Sequence, residues 1–155
     1  MAMPEPHRMQ THWALENLIK ASVHCVDTRD YLAFGALFAL DGRLYRPTSP
    51  EPIVGPEAIA KAYAQTPPNR FNRHLVTNVL ITNLTADRAT VQSYVLLFST
   101  EDAAAVAQPF GAPVARALVG EFADQCMLTP DGWRLHERRA AFTLNMNPMP
   151  ATGVA

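Results

Sequence analysis

The stretch Phe71-Asn72-Arg73-His74-Leu75-Val76-Thr77-Asn78-Val79-Leu80-Ile81-Thr82-Asn83-Leu84, followed by Thr85-Ala86-Asp87 and then Arg88 to Thr100, decides the fold. Both flanks are rich in Val, Leu, Ile, Thr, Phe and Tyr, and three turn-forming residues separate them, as in a hairpin of two long antiparallel strands. The same pattern recurs at residues 116–128 and 133–146, across Pro130-Asp131-Gly132. Four long strands therefore fill the second half of the chain.

The first half reads differently. Leu15, Leu18, Ile19, Ser22, Val23 and Val26 recur at helical spacing and predict an amphipathic helix over residues 11–27. Asp30 is an N-cap for a second helix from Tyr31 to about Leu40, ended by Asp41-Gly42. Arg43 to Arg46 is a short strand, and Gly55-Pro56-Glu57 opens a third helix running to Ala64. The prolines at 47, 50, 52, 67, 68, 109 and 113 fall between these blocks. Helices first and strands second predict an α+β domain over residues 11–146, with loose tails at 1–10 and 147–155. The long connection Glu101–Ala115 is either a mobile lid with a helical turn or a hairpin tip without a role.

Composition narrows the function. The chain has 155 residues, 17% of them charged, and a net charge of −1. A near-neutral chain lacks the clustered cations that phosphate contacts need, so no nucleic-acid partner is expected. No apolar run approaches the length of a membrane span and the N-terminus has no signal-like pattern, which makes a cytoplasmic protein the expectation. Cys25 and Cys126 lie far apart with no metal-ligand spacing around either; both are expected to be reduced packing residues. There is no G-x-G-x-x-G, Walker loop, H-E-x-x-H or G-x-S-x-G. Neither cofactor nor metal is expected, and any chemistry would be acid–base.

His74 is the first candidate for it. Alternation puts His74, Val76, Asn78 and Leu80 on one strand face, and a buried imidazole there needs a hydrogen-bond partner. Asp27 is the second, since an acid at the end of a helix faces the negative end of the macrodipole and breaks a local rule. Its plain alternative is a cap on the turn near Arg29 and Asp30. His24 precedes Asp27 by one helical turn but belongs to the polar side, and His7 and His12 belong to the exposed N-terminal region. His136, among Arg134, Glu137, Arg138 and Arg139, reads as part of a surface ion-pair ladder. Arg138 lies on a face that turns apolar at Ala140 and Phe142, so it needs an acid or an anionic ligand. Glu121 and Asp124, on opposite faces of their strand, are the candidate acids.

Five segments in order resemble the SnoaL-like superfamily: Val26-Asp27-Thr28-Arg29-Asp30-Tyr31, Leu37 to Gly42, Gly55-Pro56-Glu57-Ala58-Ile59, His74-Leu75-Val76-Thr77-Asn78 and Asp131 to Arg138. The resemblance spans residues 11–146. It implies a cone-like half barrel, a curved antiparallel sheet around a pocket closed by three helices. Within the superfamily the chain looks most like the scytalone dehydratase and hexachlorocyclohexane dehydrochlorinase branches, cofactor-free lyases with an Asp–His pair. Asp27 and His74 stand at those two positions. Arg138 matches an arginine of the dehydrochlorinase site, and Tyr45, with one residue gapped, a substrate-polarising tyrosine of the dehydratase. Val26 replaces a second dehydratase tyrosine, and no histidine lies near Glu121, where the dehydratase has another; scytalone itself is not implied.

The expectation is a lyase acting on a small hydrophobic ring compound. His74 is the general base, Asp27 orients it, and Tyr45, Asn78, Arg138 and Glu121 hold the substrate. An isomerase or cyclase using the same base is one alternative, and a non-catalytic ligand-binding or assembly module is another. The outer Val, Leu and Tyr positions of residues 89–98 suggest self-association, as a homodimer or a homotrimer.

Overall fold

A computed structural model describes residues 5–147. The elements run α1 (Glu5–Asp27), α2 (Tyr31–Ala36), β1 (Phe38–Tyr45), β2 (Ile53–Val54), α3 (Pro56–Tyr63), β3 (Phe71–Leu84), β4 (Arg88–Thr100), β5 (Arg116–Thr129) and β6 (Gly132–Asn145). They form one six-stranded sheet in the order β2-β1-β6-β5-β4-β3. The long hairpins β3–β4 and β5–β6 are antiparallel, as is β4–β5, while β1 joins β6 in parallel. A parallel pair needs a crossover, and here most of the chain supplies it.

Helix α1 packs an apolar stripe against the inner face of the sheet. Leu15, Leu18 and Ile19 share a core with Phe34 of α2, Phe38 and Leu44 of β1, Ile59 of α3, Val91 of β4 and Leu135 of β6. Along β4 the alternation is strict: Ala89, Val91, Ser93 and Val95 are buried, whereas Gln92 and Tyr94 are exposed. The valines of residues 89–98 thus point inward, contrary to the expectation that they lie outside.

Three boundaries differ from the sequence reading. Helix α1 begins at Glu5, not residue 11; Pro6 falls in its first turn, where a missing N–H has no helical partner to lose. Residues 5–10 are therefore not a tail, and the expectation for residues 1–4 and 148–155 lies outside the described residues. Asn147 is also anchored, its side chain bonding the backbone of Ala115 and Ala117. Helix α2 stops at Ala36 because the chain from Phe38 onward joins the β6 ladder, where the Leu135 N–H donates to the Leu37 carbonyl at 2.9 Å. Asp41-Gly42 lies where the register of β1 shifts, and a Cβ on Gly42 would meet the Ala39 carbonyl oxygen at 2.8 Å. The 101–115 connection carries one 3-10 turn, Ala103–Ala107, capped by the Asp102 side chain. Among the described residues no helix is long and apolar enough to cross a membrane.

Candidate active site

Asp27 and His74, 47 positions apart, meet where the end of α1 packs against β3. The His74 backbone N–H donates to Asp27 Oδ2 at 2.8 Å, and His74 Nδ1 lies 2.6 Å from Asp27 Oδ1. A carboxylate only accepts, so Nδ1 carries the ring proton and Nε2 is left as the unprotonated nitrogen of neutral His74. Both side chains are largely buried. Two donors from a single residue fix the carboxylate in orientation, and fix the ring through it.

The turn after α1 explains how Asp27 comes free to do this. The Arg29 N–H donates to the Val26 carbonyl and the Asp30 N–H to the Cys25 carbonyl, closing a Schellman turn with Arg29 in the left-handed region at φ 62°. Asp30, not Asp27, caps α2, accepting from the Ala33 N–H at 3.1 Å. The Arg29 guanidinium reaches the carbonyls of Thr66, Pro67 and Arg70, tying the end of α1 to the entry of β3.

His74 borders a cavity of about 90 Å³ enclosed by α1, the sheet and the short helices. Its walls are mostly apolar, with Val23, Val26, Phe34, Leu44, Val95 and Phe142 among them. The polar groups are His74, Ser22, Tyr63 and Arg138. On its other side His74 borders an open groove lined by Lys20, His24, Phe71 and Arg73.

Arg138 is 3% exposed and faces Asp124, its cross-strand neighbour, which is 1% exposed. The contact is bidentate, Nε to Oδ1 at 2.7 Å and Nη2 to Oδ2 at 2.8 Å. Nη1 donates to Ser22 Oγ at 2.7 Å, and the guanidinium lies 4.1 Å over the Phe122 ring. Burial alone pulls the Arg138 pKa down, but the charge and hydrogen bonds of Asp124 outweigh it and hold the group above its ordinary value. Burial, reinforced by Asp124, pushes the Cys126 thiol up to about 12, and Cys25 is raised by burial and then by Asp30. Both cysteines are free thiols.

Three expected substrate contacts lie elsewhere. Asn78 sits in a bulge at φ 52°, where the β3–β4 register breaks between Thr77 and Leu80. The inward row passes from His74 and Val76 to Val79 and Ile81, leaving Asn78 exposed and bonded to Thr77. Glu121 is exposed on the outer face opposite Tyr94, so Asp124 is the acid that meets Arg138. Tyr45 is turned away from the cavity beneath the Arg139 guanidinium, 3.8 Å from its ring centre, while Leu44 takes the inward position. Tyr63 at the end of α3 is the cavity tyrosine. It belongs to the same helical face as Ile59 and Ala60, a signal that reads first as core. His136 stands 3.5 Å from Asp41, its Nδ1 buried and without a hydrogen bond among the described residues, and Arg139 bonds Glu137 at the surface; Arg138, read as part of the same ladder, is buried against Asp124 instead.

The helix-closed, curved sheet defines the class of fold, and comparison with known proteins names the family. Residues 7–139 match the SnoaL-like domain, and the chain belongs to that family. It is similar to the crystal structure of a proposed scytalone dehydratase from Novosphingobium aromaticivorans, at 19% identity, TM-score 0.73, over 92% of this chain and 91% of that one. A proposed dehydratase of the NTF2-like family from Streptomyces avermitilis matches at 18% identity, TM-score 0.71, over 87% and 98% of the two chains. A proposed aromatic ring hydroxylase from Novosphingobium aromaticivorans matches at 22% identity, TM-score 0.69, over 92% and 93%. A search of curated proteins finds no match. At these identities the structural likeness establishes the fold.

Proposed function

We propose that the protein is a cofactor-free lyase of dehydratase or dehydrohalogenase type, acting on a small, hydrophobic, ring-containing substrate. The observation that carries this reading is the double contact of Asp27 with His74, at 2.6 and 2.8 Å, beside a largely apolar cavity. His74 Nε2 takes a proton from carbon, and the C–H electron pair becomes the new double bond as the neighbouring leaving group departs with its own pair. A departing hydroxide collects the proton from His74 and leaves as water; a departing halide leaves the proton to pass to solvent. Asp27 keeps Nε2 unprotonated beforehand and balances the imidazolium afterwards. Such general-base assistance contributes roughly 10²–10⁴-fold.

The test is a screen of hydroxylated and halogenated ring compounds for elimination, with His74→Ala beside the native protein. Release of water or halide by the native chain and its loss in the variant is the expected result. Equal turnover by both would overturn the reading. Product mass separates elimination from isomerisation by the same base.

For the assembly we propose self-association through the outer sheet face. Leu75, Leu96, Val119 and Leu144 are in register across β3, β4, β5 and β6, and Leu75 and Leu144 are more than half exposed. A sedimentation profile that stays monomeric at all concentrations would remove this claim.

A further inference from the structure

A second cleft lies under the connection between β4 and β5, apart from the cavity beside His74. Both ends of that connection are tied down: the Ala103 N–H donates to the Asn69 carbonyl at 3.0 Å, and the Ala115 N–H to the Ser99 carbonyl at 2.8 Å. Residues 106–114 thereby stand against the open end of the β3–β4 hairpin and bound about 190 Å³. Phe71 pairs across the strands with Thr100, and Arg73 with Phe98; both pairs alternate with His74, so the floor of the cleft belongs to the outer face of the sheet. Val106, Pro113 and Val114 supply the other walls. A void of about 150 Å³ holds benzene, so this cleft takes a single ring with a short substituent.

Among the described residues that line the cleft, Arg73 is the one with a charge. Its guanidinium lies 4.0 Å over the Phe71 ring, and Nη1 donates to the Asn72 carbonyl at 3.0 Å. These contacts hold the head group in place without neutralising it, since among the described residues no carboxylate pairs with Arg73. One of its five N–H donors is used, and a guanidinium resting on a ring keeps its edge free for a planar acceptor with two oxygens. The acids at the start of the connection are occupied, Glu101 by Arg70 at 2.9 Å and Asp102 by the Ala105 N–H at 3.2 Å.

We propose that this cleft is a binding site for small aromatic carboxylates, with the ring between the apolar walls and the carboxylate on the Arg73 guanidinium. The site is separate from the cavity beside His74 and does not depend on the lyase reading. A ring without a charge would fill the walls and leave Arg73 to water. An acid without a ring would form an exposed ion pair, which contributes little. Affinity therefore needs both parts in one molecule. Arg73 also lines the groove beside His74, but that side is less favourable for an anion. Its second cation, Lys20, is already paired with Glu16 at 2.7 Å, and although His24 lies there too, Asp27 adds a negative charge. No carboxylate lines the cleft.

The experiment is a methyl NMR titration of the full chain with phenylacetate, its neutral isostere phenylacetamide, and acetate, which lacks the ring. Phenylacetate at millimolar concentration is expected to move the Val106 and Val114 methyl resonances and to leave those of Val26 and Val95, in the cavity beside His74, in place. The amide is expected to bind at least about 3-fold more weakly, and acetate to leave all four unmoved, comparisons that need no variant. Arg73→Gln, at an exposed position, should weaken phenylacetate by about 3- to 10-fold and leave the amide unchanged, the range of a two-point charged contact open to solvent. Val106 and Val114 methyls that stay still, an amide that binds as tightly as the acid, or an unchanged affinity in Arg73→Gln would each overturn the assignment. Shifts confined to Val26 and Val95 would overturn it by placing the acid in the other cavity. Val106 and Val114 resonances that respond to dilution of the protein and not to the acid would overturn it by giving the cleft to a second copy of the chain. The readout is binding, so absence of elimination from every compound screened would sink the lyase reading without touching this one.

Discussion

Replacing Asp27 with Asn tests the clamp through its hydrogen-bond directions. The His74 backbone N–H is a donor that cannot change, 2.8 Å from Asp27 Oδ2. An amide at position 27 must turn its oxygen to that N–H, which puts its NH2 group against His74 Nδ1 at the 2.6 Å contact. Nδ1 must then accept, the neutral ring carries its proton on Nε2, and the nitrogen remote from residue 27 is no longer a base. Recovering the active tautomer requires flipping the amide, so that its NH2 faces the backbone N–H and two buried donors lose acceptors. At about 1–3 kcal/mol each, that is about 2–6 kcal/mol, or a population penalty of about 30-fold to 10⁴-fold. Asp27→Asn should therefore lower kcat by about 30-fold to 10⁴-fold, with KM within about 3-fold and an unchanged fold. The tautomer itself can be read without substrate from the nitrogen chemical shifts of the His74 ring. A variant whose ring keeps the proton on Nδ1, or that turns substrate over at the native rate, would refute the reasoning.

Other parts of the molecule respond in ways that can be measured separately. Arg138→Leu leaves Asp124 as a buried unpaired carboxylate and should cost about 3–5 kcal/mol, lowering Tm by about 6–20 °C, whereas Asp124→Leu combined with it should recover more than half of the loss in urea unfolding. The Cys126 thiol ionises near 9 when unfolded but at about 12 when folded, so its contribution to stability is whole below pH 9 and declines as pH rises toward 12. Tyr63, raised above its ordinary 10, adds to the decline at the upper end of this range. The slope between pH 9 and 10 approaches about −1.4 kcal/mol per unit and should flatten in Cys126→Ala. Arg29→Ala keeps a left-handed residue while losing three carbonyl contacts, and Arg29→Gly loses the contacts but relieves the backbone. Thermal unfolding should find the glycine variant more stable than the alanine one by about 1 kcal/mol.

The four long strands were legible because nothing local competes with them: β-branched and aromatic residues alternate between turn residues, and each hairpin pairs neighbours in the chain. Residues 37–40 were not, since Leu37-Phe38-Ala39-Leu40 satisfies a helix as well as a strand. The deciding partner, Leu135, lies nearly 100 positions away in the parallel β6. Two-residue β2 leaves no periodicity to read. Asn78 shows the limit of counting by twos: one left-handed residue reverses the parity of everything beyond it, and asparagine tolerates that conformation without announcing it. Glu121 and Asp124 could be told apart only by register, because Asp124 lies directly across from Arg138. Tyr63 was hidden for another reason: on α3 it continues an apolar face, and only the fold shows that this face lines the cavity.

Asp27 was legible because it breaks a rule, and the structure gives the break a use. A carboxylate on the last turn of a 23-residue helix meets the negative end of the macrodipole, an opposition of about 0.3–1 kcal/mol. Two charge-assisted hydrogen bonds from His74 outweigh it. The same helix end that disfavours the carboxylate favours a cation, and the ring that becomes cationic in the proposed reaction is the one Asp27 holds there. A capping glycine after α1 would have made the turn without strain, but it would have had no side chain to reach the carbonyls of Thr66, Pro67 and Arg70. Arg29 accepts the left-handed backbone and uses its guanidinium to bind the chain entering β3. Helix end and strand entry are thus joined a few residues from both halves of the clamp, and the geometry of Asp27 and His74 follows from that join as much as from their own contact.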